Sequence, residues 1–383
     1  MKEPGTIAFL TAADPSDKRA WSGIHWYVSR ALEKHIGKVE FLGPYQPAFV
    51  YNSGRLASKV VRMLTGKNYD YSHSLRLAKA YGDHFNRKLR EKNFSLIFSS
   101  AASSESAFIE KGLPMYYLAD ATAAALTGYY PYFSKLTRSS AKEILEVERR
   151  GISRAGHLIY ASQWAADSAM NDFQAPPAKI SVIPFGANID EIPPADAVLS
   201  RKRGDTCRLL FLGAQWERKG GPIAFETLKE LNRMGIKTEL TVCGCVPPAK
   251  VSHPALRIIP FLDKRDPVQM QQFSAMMMAT DFLLLPTRAE CFGIVFCEAS
   301  AYGVPSVSTL TGGVSGAIRE NVNGILLPYE AAGKEYAMKI AESWSRENSY
   351  SELCVSSRKL FETELNWDAW ALKVKSLMQR SGD

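Results

Sequence analysis

Apolar residues fall along this chain in short runs of strand length, separated by stretches with helical spacing. In the first half the runs lie at 6–11, 39–42, 95–98, 115–118, 157–160 and 180–184, with helical spacing at 24–34 and 140–154. In the second half they lie at 208–212, 238–242, 256–260, 281–286, 304–308 and 324–327, with helical spacing at 220–234, 268–278, 293–302 and 334–344. Short runs that are apolar throughout predict strands buried on both faces, and their alternation with helices predicts parallel sheets covered on both sides. A last amphipathic helix is expected at 366–377, crossing back to the first domain. No apolar run approaches the roughly 20 residues that span a bilayer. The opening 1–17 reads as a first strand rather than a leader, because its short apolar stretch at 7–13 runs straight into acids.

The periodicity lapses near 190–206, where Pro193-Pro194 and Arg201-Lys202-Arg203-Gly204-Asp205 give polar, proline- and glycine-containing linker chemistry. The 383 residues therefore read as two doubly wound α/β domains, 1–195 and 205–365, followed by the helix 366–383. In such a pair a ligand is expected at the carboxyl ends of the strands, in the crevice between the domains.

The stretch Asp281-Phe-Leu-Leu-Leu-Pro-Thr-Arg-Ala-Glu290-Cys-Phe-Gly293-Ile-Val-Phe-Cys-Glu298 runs from a buried strand through a loop into a helix. Taken singly, either glutamate reads as a solvated surface acid. The context argues otherwise: Glu290 ends an apolar strand, and Glu298 sits between Cys297 and Ala299 on a helix that must pack closely. Carboxylates so placed accept hydrogen bonds from paired hydroxyls, and the amides at the helix start suit an anion.

With its continuation through Gly303-Val304-Pro305, Thr311-Gly312-Gly313-Val314 and Asn321-Val322-Asn323-Gly324, this stretch resembles the E-x7-E region of family 4 retaining glycosyltransferases, which have the GT-B fold of two Rossmann-like domains. The resemblance covers the second half well and the first more loosely. It implies that Glu298 holds the ribose hydroxyls of a nucleotide and that Glu290 sits near the donor sugar. Cys291, Phe292 and Gly293 would turn backbone amides toward sugar and phosphates, Gly312 and Gly313 would lie near the donor, and base recognition would involve backbone near Phe261-Leu262. In Leu210-Phe-Leu-Gly213-Ala-Gln-Trp-Glu-Arg218-Lys219-Gly220-Gly221, the pair Lys219-Gly220 matches the family's lysine–glycine pair. Two cations at a helix start oppose its dipole unless an anion lies between them, and a diphosphate supplies one.

Two positions depart from the family. Ala214 stands where an arginine is usual, and Arg218 is the candidate replacement. The histidine usual after a mid-domain strand is missing, and Asp120 is its candidate substitute, with a helix N-cap as the other reading of that residue. Ser22-Gly23, opening the first helix, occupies the place of the family's first glycine loop.

Charge adds one feature. Of a net +8, nearly all gathers between residues 55 and 92, with ten basic residues against three acids. That stretch reads as a solvated helix face packed on the core, or as a surface for an anionic membrane or a lipid-diphosphate acceptor. No nucleic-acid-binding pattern accompanies it. The six cysteines match no zinc spacing and read as reduced thiols of a cytoplasmic protein, at the inner face of the membrane where the basic stretch engages it. With no D-x-D and no ligand cluster, neither a metal nor a resident cofactor is expected. The expected activity is metal-independent, retaining transfer of a hexose-type sugar from a UDP- or GDP-sugar to a hydroxyl acceptor, lipid-linked or a cell-surface glycan precursor. The alternatives are a catalytically silent partner subunit and a nucleotide-sugar epimerase of the same fold.

Overall fold

The computed structural model describes residues 5–380, which form two compact units: 5–183 with 371–380, and Pro184–Trp370. The first unit contains β1 (Ile7–Leu10), α1 (Ile24–His35), β2 (Val39–Phe41), α2 (Ala48–Thr65), α3 (Leu75–Glu91), β3 (Leu96–Ser100), α4 (Ser103–Ser106), β4 (Met115–Ala119), α5 (Ala123–Leu126), α6 (Arg138–Arg154), β5 (His157–Tyr160), α7 (Gln163–Phe173) and β6 (Ile180–Val182). Its sheet is parallel throughout, in the order β2-β1-β3-β4-β5-β6. Residues such as Leu10, Phe85, Tyr117, Leu158 and Ala166 fill its core.

The second unit contains α8 (Ala195–Leu199), β7 (Cys207–Leu212), α9 (Gly221–Arg233), β8 (Thr238–Cys243), β9 (Leu256–Ile259), α10 (Pro267–Met278), β10 (Phe282–Leu285), α11 (Ile294–Ala301), β11 (Ser306–Thr309), α12 (Val314–Ala317), β12 (Gly324–Leu327), α13 (Gly333–Ser345) and α14 (Glu347–Thr363). Its six parallel strands are ordered β12-β11-β10-β7-β8-β9. The final helix, α15 (Trp367–Arg380), starts in the second unit, and its residues from Ala371 belong with the first.

All twelve expected strands form. The inner strands are buried because each sheet is sandwiched between helices, and β1, β4, β10 and β11 carry no exposed residue, whereas the edge strands β2, β6 and β9 are only partly covered. Each sheet also reverses its strand order once. In the first unit the reversal falls between β1 and β3, and in the second between β7 and β10. Neighbouring loops leave such a junction in opposite directions and open a crevice at the strands' carboxyl ends.

The polar stretch 190–206 is less of a linker than its composition implies. The change of unit comes earlier, at Ile183 and Pro184. Phe185 packs against Phe292 at 5.1 Å, Ala187 N–H donates to Leu365 O, and Trp367 Nε1 donates to Asn188 Oδ1 at 2.8 Å. Further on, the Arg201 guanidinium donates to Met278 O, Thr280 O and Tyr302 O at 2.9–3.1 Å. Five-donor arginine can satisfy several carbonyls at once, so a polar sequence becomes a staple.

Candidate functional site

In the second unit the β7–β10 junction gathers the motif residues. The loop after β7 carries Gly213, Ala214, Arg218 and Lys219; the loop after β10 carries Thr287 to Gly293. The two are bonded together, since Arg288 N–H donates to Arg218 O at 2.8 Å and the Arg218 guanidinium donates to Ala289 O at 2.7 Å. Glycine is required where they touch. Gly220 has φ +79°, and a Cβ there would lie 1.9 Å from Pro286 O. Gly293 has φ +91° and caps α11, where a Cβ would strike the Phe296 ring at 2.4 Å. A third loop joins behind β11, where Gly313 N–H donates to Glu290 O at 3.0 Å, beside Gly312 with φ +52°.

Two buried carboxylates occupy this junction. Glu290 is 8 % exposed and Glu298 4 %. Each is met by an ammonium. Lys219 Nζ is paired with Glu290 Oε2, and Lys264 Nζ lies 2.7 Å from Glu298 Oε2. A buried carboxylate without such a partner would cost several kcal/mol, so each pair is internally compensated. The anion expected to offset Lys219 at the start of α9 is, in this structure, Glu290.

The remaining second-unit candidates fall around these pairs. Cys291 is half-buried, whereas Phe292 is 1 % exposed with its ring in the core beside Phe185, so what Phe292 offers the site is backbone. Gly213 lies against the stem of Lys219, where a Cβ would sit 3.0 Å from Lys219 Cγ. Arg218 braces the two loops: besides Ala289 O, its Nε donates to Gln215 Oε1 at 2.5 Å. Ala214 is exposed. Phe261 and Leu262 follow β9 at the sheet edge, and the chain that carries them continues to Lys264, which reaches Glu298.

Lys264 is the residue of the candidate site that sequence reasoning missed. Its ammonium also lies 4.2 Å from the centre of the Phe273 ring on α10, a cation–π contact that fixes its approach. The one signal in the sequence was a cation shortly after an apolar strand, amid the aperiodic charges Asp263, Arg265 and Asp266.

In the first unit, Trp21, Ser22 and Gly23 precede α1 with φ of 45°, 57° and 87°, and Ala101 after β3 has φ 46°. Left-handed backbone at non-glycine residues costs on the order of 1 kcal/mol each, and here it collects at the β1–β3 junction. His25 is buried there, its Nδ1 3.0 Å from Ser100 Oγ, and burial pushes its pKa down to about 4, so the ring is neutral at pH 7. Asp120 lies after β4, one strand away from that junction, and half-buried. The cap of α5 is not Asp120 but Thr122, whose side chain accepts from Ala125 N–H at 3.2 Å.

A groove of about 730 Å³ lies elsewhere in the second unit, beside α10 and lined by Arg208, Glu239, Thr241 and Arg257; it holds none of the motif residues.

Comparison with known proteins shows what the chain is similar to. Residues 206–345, which span both loops of the β7–β10 junction, match the family described as glycosyl transferases, group 1. A D-inositol 3-phosphate glycosyltransferase of Paenarthrobacter aurescens (strain TC1) is 28 % identical over 193 residues, which is 48 % of this chain and 47 % of that protein. The chain thus spans about half the length of the curated relatives it matches. Among solved structures, sucrose-phosphate synthase from Thermosynechococcus elongatus superimposes with a TM-score of 0.64 at 15 % identity, covering 99 % of each chain. Anabaena Alr3699/HepE in complex with UDP-glucose superimposes with a TM-score of 0.62 at 14 % identity, covering 98 % of this chain and 100 % of that one. Residues 206–345 thus resemble the group 1 glycosyl transferases, and the two parallel six-stranded sheets give the chain the GT-B fold of the structures on which it superimposes.

Proposed function

We propose that the second unit binds a nucleotide-diphospho-sugar at the β7–β10 junction and that the protein transfers the sugar, with retention, to a hydroxyl acceptor. The observation that carries this reading is the double pairing of Lys219 with Glu290 and Lys264 with Glu298 where strand order reverses. Both carboxylates are desolvated acceptors suited to sugar hydroxyls, and both lysines are flexible point charges that can follow a phosphate.

In this scheme Glu298 accepts from the ribose hydroxyls, held in place by Lys264. Lys219 turns from Glu290 toward the diphosphate, which frees Glu290 for the donor sugar. The amide of Gly293, at the positive end of α11, adds to the field around the departing phosphate. Arg218 reaches the same phosphates only with the part of its fork not engaged by Ala289 O and Gln215. Gly213, Gly312 and Gly313 allow backbone to approach closely. Phe261 and Leu262 border the base, a UDP- or GDP-type nucleotide. The acceptor oxygen attacks on the face from which the diphosphate leaves, and a phosphate oxygen takes its proton. Catalysis is then positioning plus stabilisation of leaving-group charge, without a metal. Ser22, Gly23 and Asp120 are the candidates that the first unit carries, taken by itself. The acceptor is lipid-linked or a cell-surface glycan precursor, and part of the basic stretch 55–92 meets an anionic membrane at the cytoplasmic face.

A panel of UDP-, GDP- and ADP-sugars without acceptor tests the proposal. Slow release of free sugar from one nucleotide class, lost in Lys219→Met, is expected. Absence of both binding and hydrolysis across the panel would overturn it. Tight binding of one donor with no turnover against any acceptor would favour a catalytically silent homologue, a reading that Ala214 and the engaged fork of Arg218 support.

A further inference from the structure

We propose that α2 alone, rather than the whole basic stretch, is the membrane-contacting element, its outward stripe lying in the interface of an anionic bilayer; this sharpens the membrane part of the proposed function and stands independently of the chemistry. All 18 residues of α2 escape full burial. At 100° per residue, Phe49, Leu56, Val60, Met63 and Leu64 share one sector of the helix. They are 77, 63, 41, 78 and 74 % exposed, respectively. The opposite sector, with Tyr51, Gly54 and Ser58, holds the helix to the unit. Ser58 Oγ donates to Tyr69 O at 2.7 Å, the Tyr51 and Tyr71 rings meet at 5.1 Å, and a Cβ on Gly54 would lie 2.8 Å from Tyr71 Cβ. The helix is therefore anchored by its small and polar face and shows its apolar face to water. That inverts the usual arrangement of a surface helix and marks an interaction face.

Charge selects the occupant. Arg55, Lys59 and Arg62 line one flank of the stripe, Lys67 follows the helix, and no acid occurs from residue 41 to 69. An apolar stripe bordered by uncompensated cations fits acyl chains beneath anionic headgroups, with the helix settling about 5–10 Å into the boundary. None of the described helices is long and apolar enough to cross a membrane, so α2 lies on the bilayer rather than through it. The rest of the basic stretch is built otherwise. In α3 the apolar residues Leu77, Tyr81 and Phe85 are buried, and nearby cations are compensated by Lys79–Asp83, Arg90–Glu110 and Lys92–Glu40 pairs.

Co-sedimentation with vesicles of phosphatidylcholine containing roughly 30 % phosphatidylserine, against pure phosphatidylcholine, tests this. The wild type is expected to bind the anionic vesicles at least about 10-fold more tightly. The triple change Arg55→Gln, Lys59→Gln, Arg62→Gln is expected to lose about 100-fold, from about 1 kcal/mol per cation. Leu56→Ser with Met63→Ser and Leu64→Ser is expected to lose at least about 10-fold, whereas Arg76→Gln with Lys79→Gln in α3 loses less than about threefold. Because the stripe makes no buried contact, all variants should keep the wild-type melting temperature. Equal or negligible binding of the wild type to both vesicles would overturn the proposal, as would an α3 variant that loses as much as the α2 variants. So would a dimer that the serine variants dissociate without change in vesicle binding, since the stripe would then be covered by a second copy. Nucleotide binding measured on the same samples keeps failure here distinct from failure of the donor site.

Discussion

Glu148 in the first unit and Glu290 and Glu298 in the second are equally hidden from water, and the protein deals with them in opposite ways. Glu148 is 4 % exposed on α6 and accepts from Tyr117 Oη at 3.1 Å. Burial pushes its pKa up to about 7, against the smaller opposing pull of the His73 charge and of hydrogen bonds from Tyr117 and Ser103. That carboxyl relieves its burial by holding a proton near neutrality. Glu290 and Glu298 instead each hold a lysine. A proton held in the core serves packing. A lysine on a four-carbon stem, placed where strand order reverses, can be exchanged for another charge. Burial alone does not single out a candidate acid; burial with a lysine partner at a strand-order junction does.

The largest effect that sharpens this contrast is expected for Lys219→Met. Losing the cation aimed at the leaving group should lower transfer by about 10²–10³-fold. It also strands Glu290, so stability should fall by up to about 3–5 kcal/mol. Adding Glu290→Gln should restore most of the stability and none of the activity. Recovery of both in the double variant would make the pair merely structural. Thermal melts with turnover on the same preparations read the two apart.

Next comes Lys264. If it positions Glu298 for the nucleotide, Lys264→Ala should raise donor KM about 10-fold with kcat little changed, and Lys264→Arg should recover much of the loss. A fall in kcat at constant KM would remove Lys264 from nucleotide binding.

The smallest effect tests the first unit's side of the comparison. Glu148 rises from an ordinary 4.5 to about 7 on folding. Between those pH values the folded protein holds a proton that the unfolded chain has lost. The stability so gained is full below pH 4.5 and disappears as pH rises through 7. Glu148→Gln, which keeps an acceptor for Tyr117, should melt like the wild type near pH 4.5 and a few degrees higher at pH 8, by about 2–4 °C per kcal/mol. Donor binding should not change. An unaltered difference across this range would mean that Glu148 is charged throughout.

The fold was legible because parallel strands covered on both faces must be apolar throughout, and runs such as Phe282–Leu285 admit little else. The two glutamates were legible from their places at a strand end and on a close-packed helix. Three features were not. Lys264 reaches Glu298 by the path of an irregular loop, which leaves no period in the sequence. The left-handed run at Trp21 and Ser22 carries no glycine to announce it; only Gly23 does. The amphipathic pattern of α2 shows that one face is apolar but not which way it points. α3, also basic and amphipathic but richer in charge, turns its apolar face inward. The difference lies in small contacts such as Gly54 against Tyr71, which no hydrophobic count weighs.

The central claim is that Glu298 and its lysine-paired neighbour form a nucleotide-sugar site within the second unit. Calorimetric titration of wild type and Glu298→Gln with UDP- and GDP-sugars at equal salt tests it most directly, because the substitution keeps shape and removes only the charged acceptor. The account predicts saturable binding of one donor class by the wild type and at least about a 10-fold loss in the variant, from forfeiting hydrogen bonds to a charged group. Equal affinity in both proteins would contradict it.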